Sequence, residues 1–285
     1  MENLLKYTHV TRFDLKKHNV RYLYHFTQSS NLKNISKYGL LPKTILDDES
    51  ISFQGNDHDR WDGHPNAISL SISFPNYKMF YRYRTQVENK NVSWAILQLD
   101  AEKILCNPSI ECAYYWFNAA DARMARIGYK ALENNKAFHA LFLDRLYVNE
   151  KGELEYLNDR RHYCKESGAE AALLPLFYPT NPQAEVLVFS GLSPQFINNI
   201  YFQSQKDLDE YRFTFPHLLK DKIWESKYKV YSQFYFKARK DYQYWNSGYI
   251  KDIDAKVSSD RLLVGERGKG YMTLEFFNDP DLGWY

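Results

Sequence analysis

A single glutamate stands at the head of an apolar segment. Glu185 follows the sequence TNPQ at residues 180–183 and precedes four apolar residues, 186–189. This pattern predicts a tight turn that leads into a buried strand. A carboxylate at the start of such a strand costs free energy unless it is paired or used, so Glu185 is a candidate catalytic group.

A histidine stands in a second apolar stretch, RYLYHFT, at residues 21–27. Phe26 and Thr27 follow His25, and the stretch predicts a short, half-buried strand. A lone histidine on such a strand is most often a core residue whose ring nitrogens are satisfied. By itself, His25 therefore indicates structure more than chemistry.

An arginine lies in the polar sequence NDHDRWDGHP at residues 56–65. The default interpretation of Arg60 is a solvated charge or a partner for Asp57, Asp59 or Asp62. Ion pairs of this kind on a protein surface contribute little to stability. We expect residues 47–66 as a whole to form a loop, and long loops in compact domains often carry function.

Metal binding is weakly indicated. His58 and His64 lie among carboxylates, but their spacing matches no helical HxxxH pattern. The chain has three cysteines with no CxxC pair, and the odd count argues against both a disulfide framework and a zinc site. We therefore expect no metal, and a reducing cytoplasm as the compartment.

Composition indicates a folded, water-soluble protein. The chain has 285 residues, of which 44% are hydrophobic and 25% charged, enough for one sizeable core. Charges interrupt the first 20 residues, which therefore lack the apolar centre of a signal peptide. No apolar run approaches the roughly 18 residues that a membrane-spanning helix needs, so we expect no membrane association.

The predicted elements mix strands and helices. The sequence SSNLKNISKYGLLP predicts a short helix with Ser29 or Ser30 as N-cap and Gly39 at its end. Alternating and apolar patterns predict strands at residues 67–74 and 94–100, whereas spacing of three and four predicts that 111–143 is mainly helical. The segment 149–170 is polar and charged.

The composition of the sequence changes after about residue 204, where short charged and aromatic stretches begin. We therefore divide it into a domain at 1–204 and a basic, aromatic C-terminal extension or subdomain at 205–285. Residues 220–240 interleave seven cations with six aromatic rings, and KMFYRYR at 78–84 repeats this on a smaller scale. Cations that follow phosphates and rings that stack on bases would bind single strands. The alternative is an amphipathic element whose rings are core.

Two of these stretches resemble the motifs of the DarT family. YHFTQSSNLKNISKYGLL is similar to its N-terminal motif, a His-x-Thr strand end followed by an Asn-Leu-x-x-Ile helix and Gly-Leu. TNPQAEVLVFSGLSPQFINNIYF is similar to its C-terminal motif, in which a strand begins at the glutamate after Pro-Gln-Ala. The resemblance runs over residues 21–202, and the second motif is the more specific.

The resemblance implies an α+β fold of the ADP-ribosyltransferase type, with a split, mixed β-sheet around an NAD cleft and flanking helices. His25, Phe26 and Thr27 would then bind the nicotinamide ribose and amide, and Leu41 would line the cofactor pocket. Glu185 would be the catalytic glutamate, and Arg60 would match the essential arginine, although the loop before it departs from the family pattern.

The implied chemistry fits these residue types. Breaking the bond between ribose and nicotinamide develops positive charge on the sugar, which an ionised carboxylate stabilises. The resemblance implies transfer of ADP-ribose to a base of single-stranded DNA, with RNA or guanine as a close alternative. It also implies a bacterial toxin or anti-phage effector, neutralised by a macrodomain protein that removes the ADP-ribose.

Two other classes of function stay open. One is a non-catalytic, single-stranded nucleic-acid-binding protein on the same scaffold. The other is a metal-dependent nuclease that uses the loop at residues 57–64. The absence of GxGxxG and GxxxxGK[ST] sequences excludes a Rossmann or P-loop cradle for NAD.

Overall fold

The structure is a computed structural model, and it describes part of the chain. The described residues are 9–55, 60, 62–115, 135–142, 146–148, 154–156, 162–163, 172–173, 176–179, 182–236 and 270–271. The polar segment at 149–170 lies mostly outside them, as do Asp57, His58 and Asp59 and nearly all of the chain after residue 236.

A seven-stranded mixed sheet forms the centre of the described residues. Its strands are β1 (Tyr22–Gln28), β2 (Ile68–Ile72), β3 (Trp94–Asp100), β4 (Cys112–Tyr115), β9 (Glu185–Val188), β10 (Ile197–Phe202) and β11 (Tyr228–Val230). Across the sheet they follow the order β11-β10-β3-β1-β2-β9-β4, and every pairing is antiparallel except that of β10 with β11. This architecture confirms the α+β prediction.

Short strands outside this sheet make two smaller ones. β5 (Leu146–Val148), β6 (Leu154–Tyr156) and β12 (Gly270–Tyr271) form a three-stranded sheet. β7 (His162–Tyr163) and β8 (Ala172–Leu173) form a pair. All five lie in segments of which the structure describes only a few residues.

The large sheet is split between β1 and β2. β1 pairs with β3 along its full length, from Tyr22 opposite Asp100 to Gln28 opposite Trp94. With β2 it pairs only at Leu23 and Tyr24, opposite Ile72 and Ser71. The two halves of the sheet therefore separate after Tyr24, which opens a cleft beside the second half of β1.

Helices cover both faces of the sheet. The described α-helices are α1 (Arg12–His18), α2 (Leu32–Tyr38), α3 (Lys43–Asp48), α4 (Tyr77–Thr85), α5 (Ala101–Leu105), α6 (Asn135–Ala140), α7 (Gln205–Thr214), α8 (Lys222–Glu225) and α9 (Gln233–Phe236). Within the described part of the chain, two buried clusters of apolar side chains, one of them mainly aromatic, pack between sheet and helices.

Two local predictions differ from the structure. The predicted serine N-cap does not begin α2: a 3₁₀ turn at Ser29–Asn31 precedes the helix, and Asn31 at the cap position makes no capping hydrogen bond. The segment 111–143 begins with β4, because Cys112–Tyr115 pairs with β9 and the last three of its four residues are buried on both faces of the sheet. Only residues 135–140 of that segment are helical among those described.

The sheet continues past the division that we placed after residue 204. β11 extends the edge of the sheet by pairing with β10, and Leu208, Tyr211, Trp224 and Tyr228 belong to the main buried cluster. Residues 205–236 are therefore built into the same core. A second unit in the rest of the chain stays a prediction.

Most of the described rings in residues 220–240 are core residues. Trp224, Tyr228, Phe234 and Tyr235 are buried, and only Tyr231 among the described rings is exposed. The prediction that these four buried rings stack on bases is therefore wrong, because they pack in the core. Lys237, Arg239 and Lys240 lie outside the described residues.

Candidate functional site

The cleft at the sheet split holds all six site residues predicted from the sequence. It has a cavity volume of about 230 Å³ and opens to solvent. Its lining includes His25, Phe26, Thr27, Leu41, Arg60 and Glu185. These positions lie up to 160 residues apart in the chain, and folding brings them to one place.

His25 spans the opening between the two halves of the sheet. Its Nδ1 lies 3.0 Å from the carbonyl oxygen of Ser69 on β2. Because a carbonyl only accepts, Nδ1 carries the proton and Nε2 is the acceptor of the neutral ring. Burial lowers the pKa of His25, and the charge of Arg60 lowers it further, while the bond to Ser69 opposes both. His25 is therefore held neutral with a fixed tautomer.

Phe26 presents its main chain, not its ring, to the opening. The ring packs into the aromatic cluster, with centroids 4.9 Å from Phe80 and 6.3 Å from Trp94. In an antiparallel ladder the main-chain groups of alternate residues face alternate neighbours. Because Tyr24 pairs with Ser71 on β2, the N–H and C=O of Phe26 turn to the same side, where the ladder has ended. This places a main-chain donor and acceptor side by side at the cleft.

Thr27 is tied to the wall of the cleft through Asn31. Asn31 Nδ2 donates to Thr27 Oγ1 at 2.9 Å and to the carbonyl of Gln54 at 2.9 Å. Asn31 Oδ1 accepts from the N–H of Gln54 at 2.8 Å. Asn34 Nδ2 bonds the carbonyl of Ser52 in the same wall. The segment at 51–55 is thereby held against the end of β1.

Arg60 lines the cleft in a fixed orientation. Its Nε and Nη2 donate to the two carboxylate oxygens of Asp62 at 3.1 Å and 2.6 Å, and Nη1 donates to the carbonyl of Ala67 at 2.9 Å. Only 14% of its side chain is exposed. The expected pairing with a loop aspartate is thus present, but as a buried, bidentate contact instead of a surface one.

Glu185 stands in a row of polar side chains that crosses the sheet. It lies opposite Ser71 on β2 and Tyr115 on β4, and Ser71 lies opposite Tyr24 on β1. Residues that face each other across strands share a face of the sheet. The carboxylate of Glu185 is therefore directed to the same face as the Tyr24 ring, with Ser71 between them. On the far side, Gln98 Nε2 donates to the Tyr24 hydroxyl at 2.9 Å.

Leu41 is seated by a close approach of two loops. Leu40 and Leu192 form a bridge of two main-chain hydrogen bonds, at 2.9 Å and 2.8 Å. A Cβ on Gly191 would lie 2.8 Å from Leu41 Cδ2, so the glycine leaves room for the leucine side chain. The end of the N-terminal motif is thereby packed against the end of β9.

Sequence reasoning missed a buried amide in the wall. Asn76 is 2% exposed and caps α4, with Oδ1 accepting from the N–H of Met79. Its main-chain N–H donates to Ser71 Oγ at 3.0 Å. Its Nδ2 is buried without a hydrogen-bond partner among the described residues. The signal available in the sequence was the Pro-Asn pair after a predicted strand, which is typical of a helix N-cap.

The described residues contain no group of three or more His, Cys, Asp or Glu side chains that could hold a metal ion. Part of the loop considered for a metal, Asp57 to Asp59, lies outside them. His64 packs its ring against Phe189 and Tyr115, with centroids 5.6 Å and 6.1 Å away. Among the described helices, none has the length and apolarity to cross a bilayer.

Comparison with known families gives a match over most of the chain. The family model described as DarT, ssDNA thymidine ADP-ribosyltransferase, matches residues 24–236. The chain belongs to the DarT family. The matched range contains every predicted site residue and ends where the described part of the sheet and core ends. No curated protein matches the sequence.

Solved structures of DarT proteins are similar to this DarT-family chain. The structure of Thermosipho africanus DarTG in complex with ADP-ribose is 15% identical, with a TM-score of 0.47 over 76% of this chain. The chain spans 51% of that DarTG chain. The structure of Thermus sp. 2.9 DarT in complex with NAD⁺ is 14% identical, with a TM-score of 0.43 over 75% of this chain and 96% of that one. For Thermus sp. 2.9 DarT in complex with ADP-ribosylated ssDNA, the TM-score is 0.44 at 14% identity, over 75% of this chain and 95% of that one.

Proposed function

We propose that this protein is an NAD-dependent mono-ADP-ribosyltransferase that attaches ADP-ribose to a base of single-stranded nucleic acid and releases nicotinamide. The observation that carries the proposal is the position of Glu185. This carboxylate begins β9 at the edge of the cleft, in register with Ser71, inside the range that matches the DarT family.

The cleft offers groups that suit the nicotinamide half of NAD. The N–H and C=O of Phe26 form a donor and acceptor pair that complements a carboxamide. Asn76 Nδ2 is a buried donor without a partner among the described residues, and a ligand oxygen would remove its desolvation cost. No GxGxxG cradle exists in the sequence, so main-chain and side-chain groups of the sheet edge would hold the dinucleotide.

Glu185 would stabilise the reacting sugar. As the bond from C1′ of the ribose to the nicotinamide nitrogen breaks, its electron pair leaves with neutral nicotinamide, and positive charge develops on the ribose ring. A carboxylate beside the ring stabilises that charge more than it stabilises bound NAD, which lowers the barrier. A ring nitrogen of the acceptor base then bonds to C1′, and its proton passes to Glu185 and on to solvent.

His25 and Arg60 would orient the substrate. The neutral His25 keeps Nε2 as an acceptor, which fits a ribose hydroxyl. The guanidinium of Arg60 in the wall of the cleft would fit the diphosphate or the incoming base. Thr27, fixed by Asn31, and Leu41 would complete the pocket for the ribose and the ring.

Single-stranded DNA is the acceptor that we favour, because the matching family model describes a transferase of ssDNA thymidine. An enzyme that modifies a base needs that base unstacked, which a single strand provides at least cost. RNA and guanine acceptors are the alternatives, and they enter the test below as separate substrates.

Modification of nucleic-acid bases would block replication or translation. We therefore propose a role as a bacterial toxin or anti-phage effector in the cytoplasm, where both NAD and nucleic acid are found. The neutralising partner would be a macrodomain protein that removes ADP-ribose. Expression of the chain alone should arrest growth, and the Glu185→Ala variant should not.

The direct test is incubation of the purified protein with labelled NAD and separate DNA and RNA oligonucleotides, each single-stranded and duplex. The proposal predicts transfer of label to single strands, loss of transfer in Glu185→Ala, and a preference for one polymer that identifies the acceptor. Binding of single strands by both proteins without any transfer would overturn it in favour of a non-catalytic binding protein.

A further inference from the structure

Asp62 makes a more complete set of contacts than a chance ion pair would. Its two carboxylate oxygens accept from Arg60 Nη2 at 2.6 Å and Arg60 Nε at 3.1 Å, and Oδ1 also accepts from the N–H of His64 at 3.0 Å. The Asp62 side chain is 3% exposed. A buried carboxylate with this geometry fixes the plane of the guanidinium, because each of its two oxygens accepts a hydrogen bond from a different guanidinium nitrogen.

The backbone around Asp62 is shaped to allow this contact. Arg60 has a φ of 41°, in the left-handed region that side chains other than glycine rarely adopt. Gly63, with a φ of 74°, closes a turn in which its N–H donates to the carbonyl of Arg60 at 2.8 Å. A strained residue at such a position persists only where its surroundings hold it. The bonds from Arg60 to Asp62 and Ala67 supply that hold.

We propose that Asp62 is a positioning residue that holds Arg60 in its working orientation in the wall of the cleft. This rests on the proposed function, in which Arg60 meets the substrate. Asp62 itself lines the cleft but acts through the arginine. An arginine side chain loses considerable rotamer freedom when it is fixed, and Asp62 makes that loss part of folding instead of substrate binding.

The first test is a double-mutant cycle on transfer activity. Asp62→Asn keeps the size of the side chain and one acceptor oxygen, but it removes the charge and the second strong acceptor. In the protein with Arg60, we expect kcat/KM to fall about 10- to 100-fold. In the Arg60→Ala background, Asp62→Asn should change kcat/KM no further, because its only route to the substrate is gone.

The matched control is Asp221→Asn. Asp221 also accepts main-chain N–H bonds in a turn, from Ile223 and Trp224 at 3.0 Å each, but it does not line the cleft. Its activity should stay at the wild-type level. Multiplicative losses in the Asp62 and Arg60 cycle would show that Asp62 acts independently of the arginine and would overturn the proposal, as would unchanged activity in Asp62→Asn.

A second readout does not depend on activity. Phenylglyoxal modifies accessible arginines, and mass spectrometry can follow Arg60 beside Arg12, whose side chain is 74% exposed. We expect Arg60 to react slowly in the wild type and several-fold faster in Asp62→Asn, with Arg12 unchanged. Equal protection of Arg60 in both would overturn the positioning role. If the wild-type protein transfers no ADP-ribose, the proposed function fails. The labelling result still shows whether Asp62 holds Arg60.

If Asp62→Asn does not fold, Asp62→Glu takes its place in both experiments. It keeps the charge and moves the carboxylate by one methylene group, so the bidentate geometry should be lost while the pair stays neutral. Activity at the wild-type level in a folded Asp62→Glu protein whose Arg60 reacts several-fold faster would contradict the proposal.

Discussion

His25 Nδ1 lies 3.0 Å from the carbonyl oxygen of Ser69, at the point where β1 and β2 have parted. Continued pairing of the two strands would place Phe26 opposite Ser69. Instead, the histidine side chain from the neighbouring position takes up the Ser69 carbonyl. One side chain thus satisfies a main-chain acceptor, fixes its own tautomer and leaves the main chain of Phe26 facing the cleft.

The pH dependence of stability should report the neutral state of His25. Its pKa is lowered from 6.5 in the folded protein, chiefly by burial. The unfolded chain therefore takes up a proton more readily than the folded one. The stabilisation from neutral His25 is complete above pH 6.5 and is lost as the pH falls from there through the folded-state pKa. Urea unfolding between about pH 8 and pH 5 should show this loss.

The His25→Asn variant is the control for that experiment. An asparagine amide can donate to the Ser69 carbonyl but does not titrate. Below pH 6.5, the free energy of unfolding should therefore fall less in the variant than in the wild type. Parallel pH curves for the two proteins would contradict a lowered pKa at His25.

Two glycines with positive φ differ in the space around them, so their alanine variants distinguish the cost of a steric clash from the cost of backbone strain. A Cβ at Gly39 would lie 2.0 Å from the carbonyl oxygen of Leu192, and Gly39 has a φ of 82°. Gly63 has a φ of 74° with nothing within 4 Å of a Cβ. Gly39→Ala should lower the free energy of unfolding by more than about 2 kcal/mol, and Gly63→Ala by about 1 kcal/mol. Chemical denaturation measures both, and similar losses would argue against the close approach of Gly39 to Leu192.

A chain of polar contacts joins α1 to α6 away from the residues that line the cleft. Asp14 accepts from the N–H and hydroxyl of Thr11 and from His139 Nε2 at 2.7 Å, and His139 Nδ1 lies 2.7 Å from His18 Nε2. Burial alone would raise the pKa of Asp14, but these bonds outweigh it and lower the pKa below 3.8. The ionised carboxylate therefore contributes stability above pH 3.8, which is lost as the pH falls through the lower folded-state value.

Asp14→Asn should reduce the free energy of unfolding by about 1 to 2 kcal/mol at neutral pH. The difference from wild type should hold nearly constant down to about pH 4, because Asp14 stays ionised in the folded protein. Denaturation at two pH values checks this. A difference that already disappears between neutral pH and about pH 5 would show that Asp14 is not held by these bonds.

Two neighbouring residues test whether 205–236 belong to the core. Trp224 is 2% exposed and lies in the main buried cluster, whereas Ile223 is 77% exposed. Trp224→Ala should cost about 3 to 5 kcal/mol and shift the whole unfolding transition, and Ile223→Ala should change stability by less than about 0.5 kcal/mol. A separate early transition in Trp224→Ala would instead indicate an independent C-terminal unit.

Local patterns in the sequence predicted the strands that frame the cleft. The predicted start of β9 at Glu185 and the bounds of β3 agree with the structure, because a turn signal and an unbroken apolar run mark them. β4 was mistaken for helix because its four residues precede a stretch with helical spacing, and pairing with β9 decides its state. Pairing is non-local, so no window of sequence contains it.

Apart from Glu185, which its position before a buried strand marked as a candidate, the site residues were predicted only through the family resemblance. His25 and Arg60 taken alone indicated a core histidine and a solvated charge, and their meeting in one cleft depends on the sheet order. Asn31 was missed, and Asp62 was named only as one of three aspartates that could pair with Arg60, because their contacts depend on the path of a loop. The rings of residues 224–235 were misjudged because core and base-stacking rings have the same composition.

The most direct test of the account is a comparison of NAD binding and ADP-ribosyl transfer in wild type and Glu185→Gln. The substitution keeps the shape of the side chain and removes its charge. The account predicts that transfer to a single-stranded oligonucleotide falls more than about 100-fold while NAD affinity changes only a few-fold, because the charge acts on the transition state. Transfer at the wild-type rate in Glu185→Gln would contradict the catalytic role of Glu185.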